Sequence, residues 1–271
     1  MLCGIDAQMS SVYFVQTRTV YDGYKDYFRL AELSGYPVIY LDEMDIESDN
    51  VYIFTPLNGE NNHGWKDPRA TIILHDLEWR LKESDYAWPE SDLTIPPGVS
   101  RVWASDKWYA EKIGAQYVPL GSHPGLAGPA TTEETFDVAP LSYRTGRRNA
   151  AFGAMIERGL TIAPNAWGDE RDALLKASSC VVHVHQHERV PTVAPLRYAI
   201  AAAWHKPLIS ESVYDRGIFG DCVLYADFDA LPDYTTLMVR RYPELLQAKA
   251  DELHDTLCIS SSFKSFIEKA L

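Results

Sequence analysis

Short apolar runs, each long enough for one buried strand, alternate with segments of helical periodicity along almost all of this 271-residue chain. Strands joined through helices lie parallel, and a parallel sheet needs helices over both of its faces. In the first half the strand-like runs fall at 12–16, 37–41, 51–54, 71–74, 101–104 and 116–119. Helical spacing covers 24–33, closed by Ser34-Gly35, and 105–113, with Ser105 as the cap and Gly114 where a terminating glycine belongs. In the second half, strands are expected at 137–143, 160–163, 180–185, 207–210 and 222–225. Helices are expected at 144–157, 168–178, 192–204 and over most of 234–271.

The stretch 121–140, rich in Gly, Pro, Ala and Thr, separates the two series and reads as a linker. The expected architecture is α/β, with two Rossmann-like lobes, parallel sheets and a cleft between them. Residues 1–122 form the first lobe and 136–260 the second, while 261–271 form a C-terminal helix that packs back on the first.

Charge is divided unevenly. Residues 1–135 carry 10 Lys and Arg against 21 Asp and Glu, and residues 136–271 carry 15 against 17. An acidic first half repels a phosphate backbone, so a duplex DNA partner is disfavoured. Between 141 and 212 the balance turns positive, which makes this the region to meet an anionic ligand. The richest apolar stretch, 190–209, is interrupted by Pro191, Pro195, Arg197, His205, Lys206 and Pro207, so no membrane span is expected. The first residues lack a basic segment followed by a long apolar one, so no secretory signal is expected. Cys3, Cys180, Cys222 and Cys258 are scattered as reduced thiols would be, and the expected location is the cytoplasm.

Ligands of open α/β sheets bind beyond the carboxyl ends of the strands, where helix N-termini present free N–H groups. The segment 180–197 runs from a strand through a polar loop into a helix, with Thr192 as expected N-cap and Pro195 in the first turn. Backbone amides near Thr192 and Val193 would then face the crevice and could hold a diphosphate. Arg147 and Arg148 open a helix, where a cation opposes the helix dipole, and so favour an anion partner. His183, His185 and His187 are close in sequence, but no Cys or carboxylate completes a usual zinc spacing, so no metal is expected.

These residues also carry a resemblance. Arg147-Arg148, Gly168-Asp169-Glu170-Arg171, Val181-Val182-His183, Arg197 and Pro207-Leu208-Ile209-Ser210-Glu211 together resemble the C-terminal domain of bacterial and phage glycosyltransferases with the two-Rossmann GT-B fold. Upstream, Arg101 to Ser105 and Tyr117-Val118-Pro119-Leu120-Gly121 are similar to the end of that family's N-terminal lobe. The resemblance implies an acceptor lobe followed by a nucleotide-sugar lobe, and transfer of a sugar from a nucleoside-diphosphate donor to an acceptor hydroxyl. It implies no cofactor and no required metal; the nucleotide sugar is a co-substrate.

By the same resemblance Glu211 accepts from a ribose diol, and Arg197 approaches the diphosphate or pairs with Glu211. Glu188 contacts the donor sugar; Trp167, beside Pro164 and Gly168, is read apart from the resemblance as either a nucleobase stacker or, in preference, a packing residue. Arg147, Arg148, His183, His185, Thr192 and Ser210 complete the donor set. A general base is expected from the first lobe, at Asp22 or His75. Asp227-Phe228-Asp229 is read as a loop.

The acceptor stays open among polysaccharide, protein and, as in phage enzymes, a hydroxymethylated DNA base; a phage-encoded chain would act in the host cytoplasm. Ala194 stands where the family carries a Glu, which leaves a non-catalytic nucleotide-sugar-binding module as the alternative. No GxGxxG follows an expected strand, and GxSxG, HExxH and P-loop patterns are absent.

Overall fold

The computed structural model describes residues 10–18, 24–55, 65–77, 95–128, 135–186, 188, 192–260 and 262–271. The first sheet holds β1 (Val12–Gln16), β2 (Val38–Tyr40), β3 (Val51–Phe54), β4 (Thr71–Asp76), β5 (Arg101–Ala104) and β6 (Gln116–Tyr117), in the order β2-β1-β3-β4-β5-β6. The second holds β7 (Phe136–Pro140), β8 (Ser178–His183), β9 (Leu208–Glu211) and β10 (Leu224–Ala226), in the order β10-β9-β8-β7. Every pairing is parallel.

Alternation along each strand shows why both faces are covered. In the first sheet Phe14, Ile53, Ile73 and Trp103 enter one core, where α1 (Lys25–Leu33) adds Tyr27, Phe28, Leu30 and Ala31. Their neighbours Val15, Tyr52, Phe54, Ile72 and Leu74 point the other way into a separate core. In the second sheet Ala139, Val181 and Leu208 face one core, while Val138, Cys180, Val182 and Ile209 face the opposite one. There α3 (Gly146–Glu157) and α6 (Leu231–Arg241) cover the latter face through Phe152, Met155, Leu231 and Met238.

Two helices tie the lobes together. On α5 (Pro195–Ala203), Ala199 and Ala203 lie in the first lobe's core, whereas Tyr198, Ile200, Ala201 and Ala202 lie in the second's. Past α7 (Pro243–His254) and the π-helical turn Asp255–Ser260, α8 (Phe263–Ala270) returns to the first lobe. Phe263 packs 5.5 Å from Phe14 and 5.9 Å from Tyr27, and Arg101 Nη1 donates to the Leu271 carbonyl at 3.2 Å. Ser122 sits at the crossing. Its N–H donates to Leu257 at 2.9 Å, its hydroxyl to the Ala199 carbonyl at 2.6 Å, and its carbonyl accepts from Phe263 at 3.3 Å.

Several sequence expectations shift. The cap of α2 (Lys107–Ile113) is Asp106, whose carboxylate accepts from Tyr109 N at 2.8 Å; Ser105 is turned inward to His75 and the Val118 carbonyl. The expected strand at 160–163 contributes only the bridge of Ile162 to Val138. The helix expected from Thr192 starts at Pro195, because that proline and the residue before it fix the entry. Within 121–140, Pro124–Leu126 forms a short 3-10 turn whose Leu126 joins the first core, and β7 begins at Phe136. Among the described residues Cys180, Cys222 and Cys258 are buried and form no disulfide. No helix among the described residues is long and apolar enough to cross a membrane.

A buried ion pair also joins the lobes. Arg171 on α4 (Gly168–Lys176) clasps Asp26 on α1, and donates to Asp172 at 2.6 Å. Removing one partner of such a pair strands the other charge, so Arg171→Ala should cost about 3–5 kcal/mol of stability. The double change Arg171→Met with Asp26→Leu should cost less than Arg171→Ala alone. Urea unfolding of both variants checks this; equal losses would contradict the account.

His75 gives a second prediction. It is fully buried, with Nδ1 2.9 Å from the Tyr27 hydroxyl and Nε2 2.8 Å from Ser105 Oγ, and burial pushes its pKa from 6.5 to about 4. Between those values the unfolded chain binds a proton that the folded chain does not, so stability rises with pH across the window. The contribution is complete above 6.5 and is lost as pH falls towards 4, amounting to about 3 kcal/mol. His75→Gln should flatten the stability–pH slope over that range in urea titrations; an unchanged slope would rule the account out.

Candidate functional site

The carboxyl ends of the two sheets face one another. Asp106, just beyond β5, accepts from the Val193 N–H at 3.1 Å in the segment before α5. Lys107 Nζ meets Asp215 at 3.2 Å, and the Trp108 and Tyr214 rings stack at 4.7 Å. The order of the second sheet, with Ile162 bridging the free side of β7, places the reversal of strand order between β7 and β8. Ligands of such sheets bind at that reversal.

A compact polar cluster stands there. Arg147, one residue into α3, forms a fork with Glu211 at the end of β9, both contacts at 2.6 Å. Its guanidinium also donates to the His185 carbonyl at 3.3 Å and lies 3.7 Å above the Phe228 ring. Glu211 further accepts from the His185 N–H at 3.0 Å, and its side chain is 9% exposed. A planar donor fork matched to a carboxylate is the geometry that Arg supplies and Lys does not.

Arg148 is buried beside it. Its Nε donates to the Val184 carbonyl at 2.9 Å and its Nη1 to the Tyr143 carbonyl at 3.0 Å. These two bonds hold the end of β8 against the start of α3, and Thr145 caps that helix through Arg148 N at 3.3 Å. His183 Nδ1 accepts from Arg197 Nη1 at 3.2 Å, and His185 Nε2 donates to the Ser212 carbonyl at 2.9 Å. Burial, followed by the Arg197 charge, drives the His183 pKa well below 6.5; burial also lowers that of His185. Both rings are therefore neutral near pH 7, and the cluster's positive charge belongs to its guanidinium groups.

The structure thus brings together Arg147, Arg148, His183, His185, Arg197 and Glu211. Glu211 pairs with Arg147 rather than with Arg197, because Arg147 stands at the mouth of β9 while Arg197, on α5, reaches the His183 ring. Ser210 lies fully buried beneath, accepting from the Tyr198 hydroxyl at 2.8 Å and donating to the Glu211 carbonyl at 2.9 Å. Trp167 caps α4 by its backbone only, with its ring 4.6 Å from that of Tyr143. Glu188 is exposed and Thr192 buried, both in the segment before α5. His75 is within the first lobe's interior, both ring nitrogens engaged, and Asp22 lies outside the described residues.

Asp227 and Asp229 sit in the turn before α6, where the Asp227 carbonyl accepts from Ala230 and Leu231. Among the described residues no group of three or more His, Cys, Asp or Glu is arranged to hold a metal. Two participants escaped the sequence reading. Phe228, passed over within the acidic triplet, is the floor under Arg147, and Asp106 is the first lobe's contact with the Val193 amide. An Asp immediately before a helix, two residues past the end of a strand, was the available signal for Asp106.

No protein-family model matches the chain. No curated protein matches it in sequence. Solved structures do share its fold. It is similar to AviGT4, a glycosyltransferase involved in avilamycin A biosynthesis, with a TM-score of 0.59 and 11% identity over 96% of each chain. It is similar to T4 phage β-glucosyltransferase, with a TM-score of 0.54 and 16% identity over 97% of this chain and 98% of the other. Similarity to TarM has a TM-score of 0.54 and 10% identity over 85% of this chain, which spans only 55% of TarM. At these identities the likeness is one of fold, and the fold is the two-lobed, GT-B-like arrangement.

Proposed function

We propose that this protein is a glycosyltransferase that takes a nucleoside-diphosphate sugar in the cleft between its lobes and transfers the sugar to an acceptor hydroxyl. The observation that carries the reading is the Arg147–Glu211 fork at the strand-order reversal of the second sheet, beside Arg148 and Arg197. A nucleoside diphosphate has two chemical handles that suit this cluster: an anionic pyrophosphate and a vicinal ribose diol. Arg147 transfers its fork from Glu211 to the pyrophosphate, and the carboxylate so released accepts from the two ribose hydroxyls. Guanidinium groups then stabilise the negative charge that develops on the departing diphosphate, without a metal.

Two of the fold's neighbours support this reading by what they bind or do: a mutant of T4 phage β-glucosyltransferase occurs in complex with UDP-glucose, and AviGT4 is a glycosyltransferase. For the general base, Asp22 in the connection between β1 and α1 is the proposed residue. Another neighbour in fold is a DNA-modifying β-glucosyltransferase. With a formal charge of −13, a smaller or uncharged acceptor suits this chain better than duplex DNA.

A ligand that binds only the folded state stabilises it by mass action, by about 2.7 kcal/mol at a hundredfold excess over Kd. For a chain of this size that corresponds to a rise in Tm of about 5–10 °C. UDP, GDP, ADP and TDP, each titrated in thermal unfolding, should include at least one that gives this rise. Arg147→Ala should weaken its binding at least about tenfold, the loss of one charge-assisted fork. No shift with any of the four would overturn the proposal.

A further inference from the structure

The amide that the sequence reading assigns to a phosphate is already occupied. Val193 N–H donates to Asp106 Oδ2, while Asp106 Oδ1 caps α2 through Tyr109 N at 2.8 Å. Asp106 is 7% exposed. A carboxylate seldom gives up water for such a place, and burial, the largest cause, raises its pKa despite the bonds from Tyr109 and Val193. The groups around it are Lys107 on its own helix, Asp215 opposite, Tyr117 on β6 and Tyr198 on α5; the Asp215 charge works against it. An acid reaching across the cleft to a backbone N–H beside a helix start occupies the position that suits an external anion.

We infer that Asp106 stands in for the donor's phosphate, and that a nucleoside diphosphate enters by displacing it from the Val193 amide. The inference rests on the proposed donor site and goes beyond it. One N–H cannot serve two anions at once, and a carboxylate and a phosphate forced together in a poorly solvated cleft repel. Donor binding and this contact between the lobes therefore exclude each other. The strain of displacement falls on the neighbouring contacts of α2, Lys107 with Asp215 and Trp108 with Tyr214. The Ser122 crossing and the Asp26–Arg171 pair lie on other elements and keep the lobes joined.

The test compares nucleoside diphosphate binding by the whole chain and its variants in calorimetry, with UDP, GDP, ADP and TDP as probes. Asp106→Asn and Asp106→Ser keep an N-cap acceptor for α2 but remove the charge. Each should bind the probe about tenfold more tightly than the unaltered protein, since a charged acceptor holds an N–H more strongly than a neutral one. Asp106→Glu, which restores the charge, should bring the affinity back.

A measurement on the unaltered protein needs no variant. Saturation with the probe should speed amide hydrogen exchange in the first turn of α2, released from the second lobe. Equal affinities across Asp106, Asn and Ser, or unchanged exchange in α2 on saturation, overturn the inference and leave the donor site standing. Absence of binding by every form overturns the donor site and the inference together.

Discussion

The relative placement of the two lobes depends on α5. Its alanines at 199 and 203 share one face and enter the first core, while Tyr198, Ile200, Ala201 and Ala202 are buried in the second. Side chains this small let the two lobes approach the helix closely, and Leu196 one turn earlier touches both cores. Ser122 then closes the arrangement, since its three backbone and side-chain bonds fasten the inter-lobe connection, α5 and the start of α8 to one point. A larger group at Ala199 would separate the cores and, with them, the facing carboxyl ends on which the site is built.

Given that placement, the chemistry of the cluster follows from which groups keep their charge. Burial keeps His183 and His185 neutral, so they serve as hydrogen-bonding partners. Arg147 is held in place by the Glu211 fork and the Phe228 face. Arg148 spends its donors on carbonyls and so fixes the backbone from which Arg147 projects. One arginine is thus scaffold and its neighbour is mouth, although the sequence presents them as an undifferentiated pair.

Element order was largely legible because strand-like runs bounded by Gly, Ser and Pro leave little choice of period. Val12–Gln16, Val51–Phe54 and Arg101–Ala104 form strands with the expected bounds. What local pattern cannot show is which groups meet across long separations. Ser105 and Asp106 are equally good caps on paper, and the choice fell to Asp106 because His75 and the Val118 carbonyl claim the serine. Thr192 looks like a cap, but Pro195 delays the helix. The Arg147–Glu211 fork spans 64 positions and the Asp26–Arg171 pair 145, distances over which composition carries no information.

The uneven charge of the chain takes on a meaning in this geometry. Charges pair across the cleft in both senses: Asp26 of the acidic first lobe meets Arg171 of the second, while Lys107 of the first meets Asp215 of the second. An anionic ligand entering that cleft meets Arg147 already served by Glu211 and the Val193 amide already served by Asp106. On the proposed function, selectivity comes from exchange: a ligand must offer the Arg147 guanidinium and the Val193 amide at least what Glu211 and Asp106 provide, and must also satisfy the carboxylates it displaces. A simple phosphate fails the second condition, because it brings no hydroxyls for Glu211. A group that joins a pyrophosphate to a vicinal diol meets both.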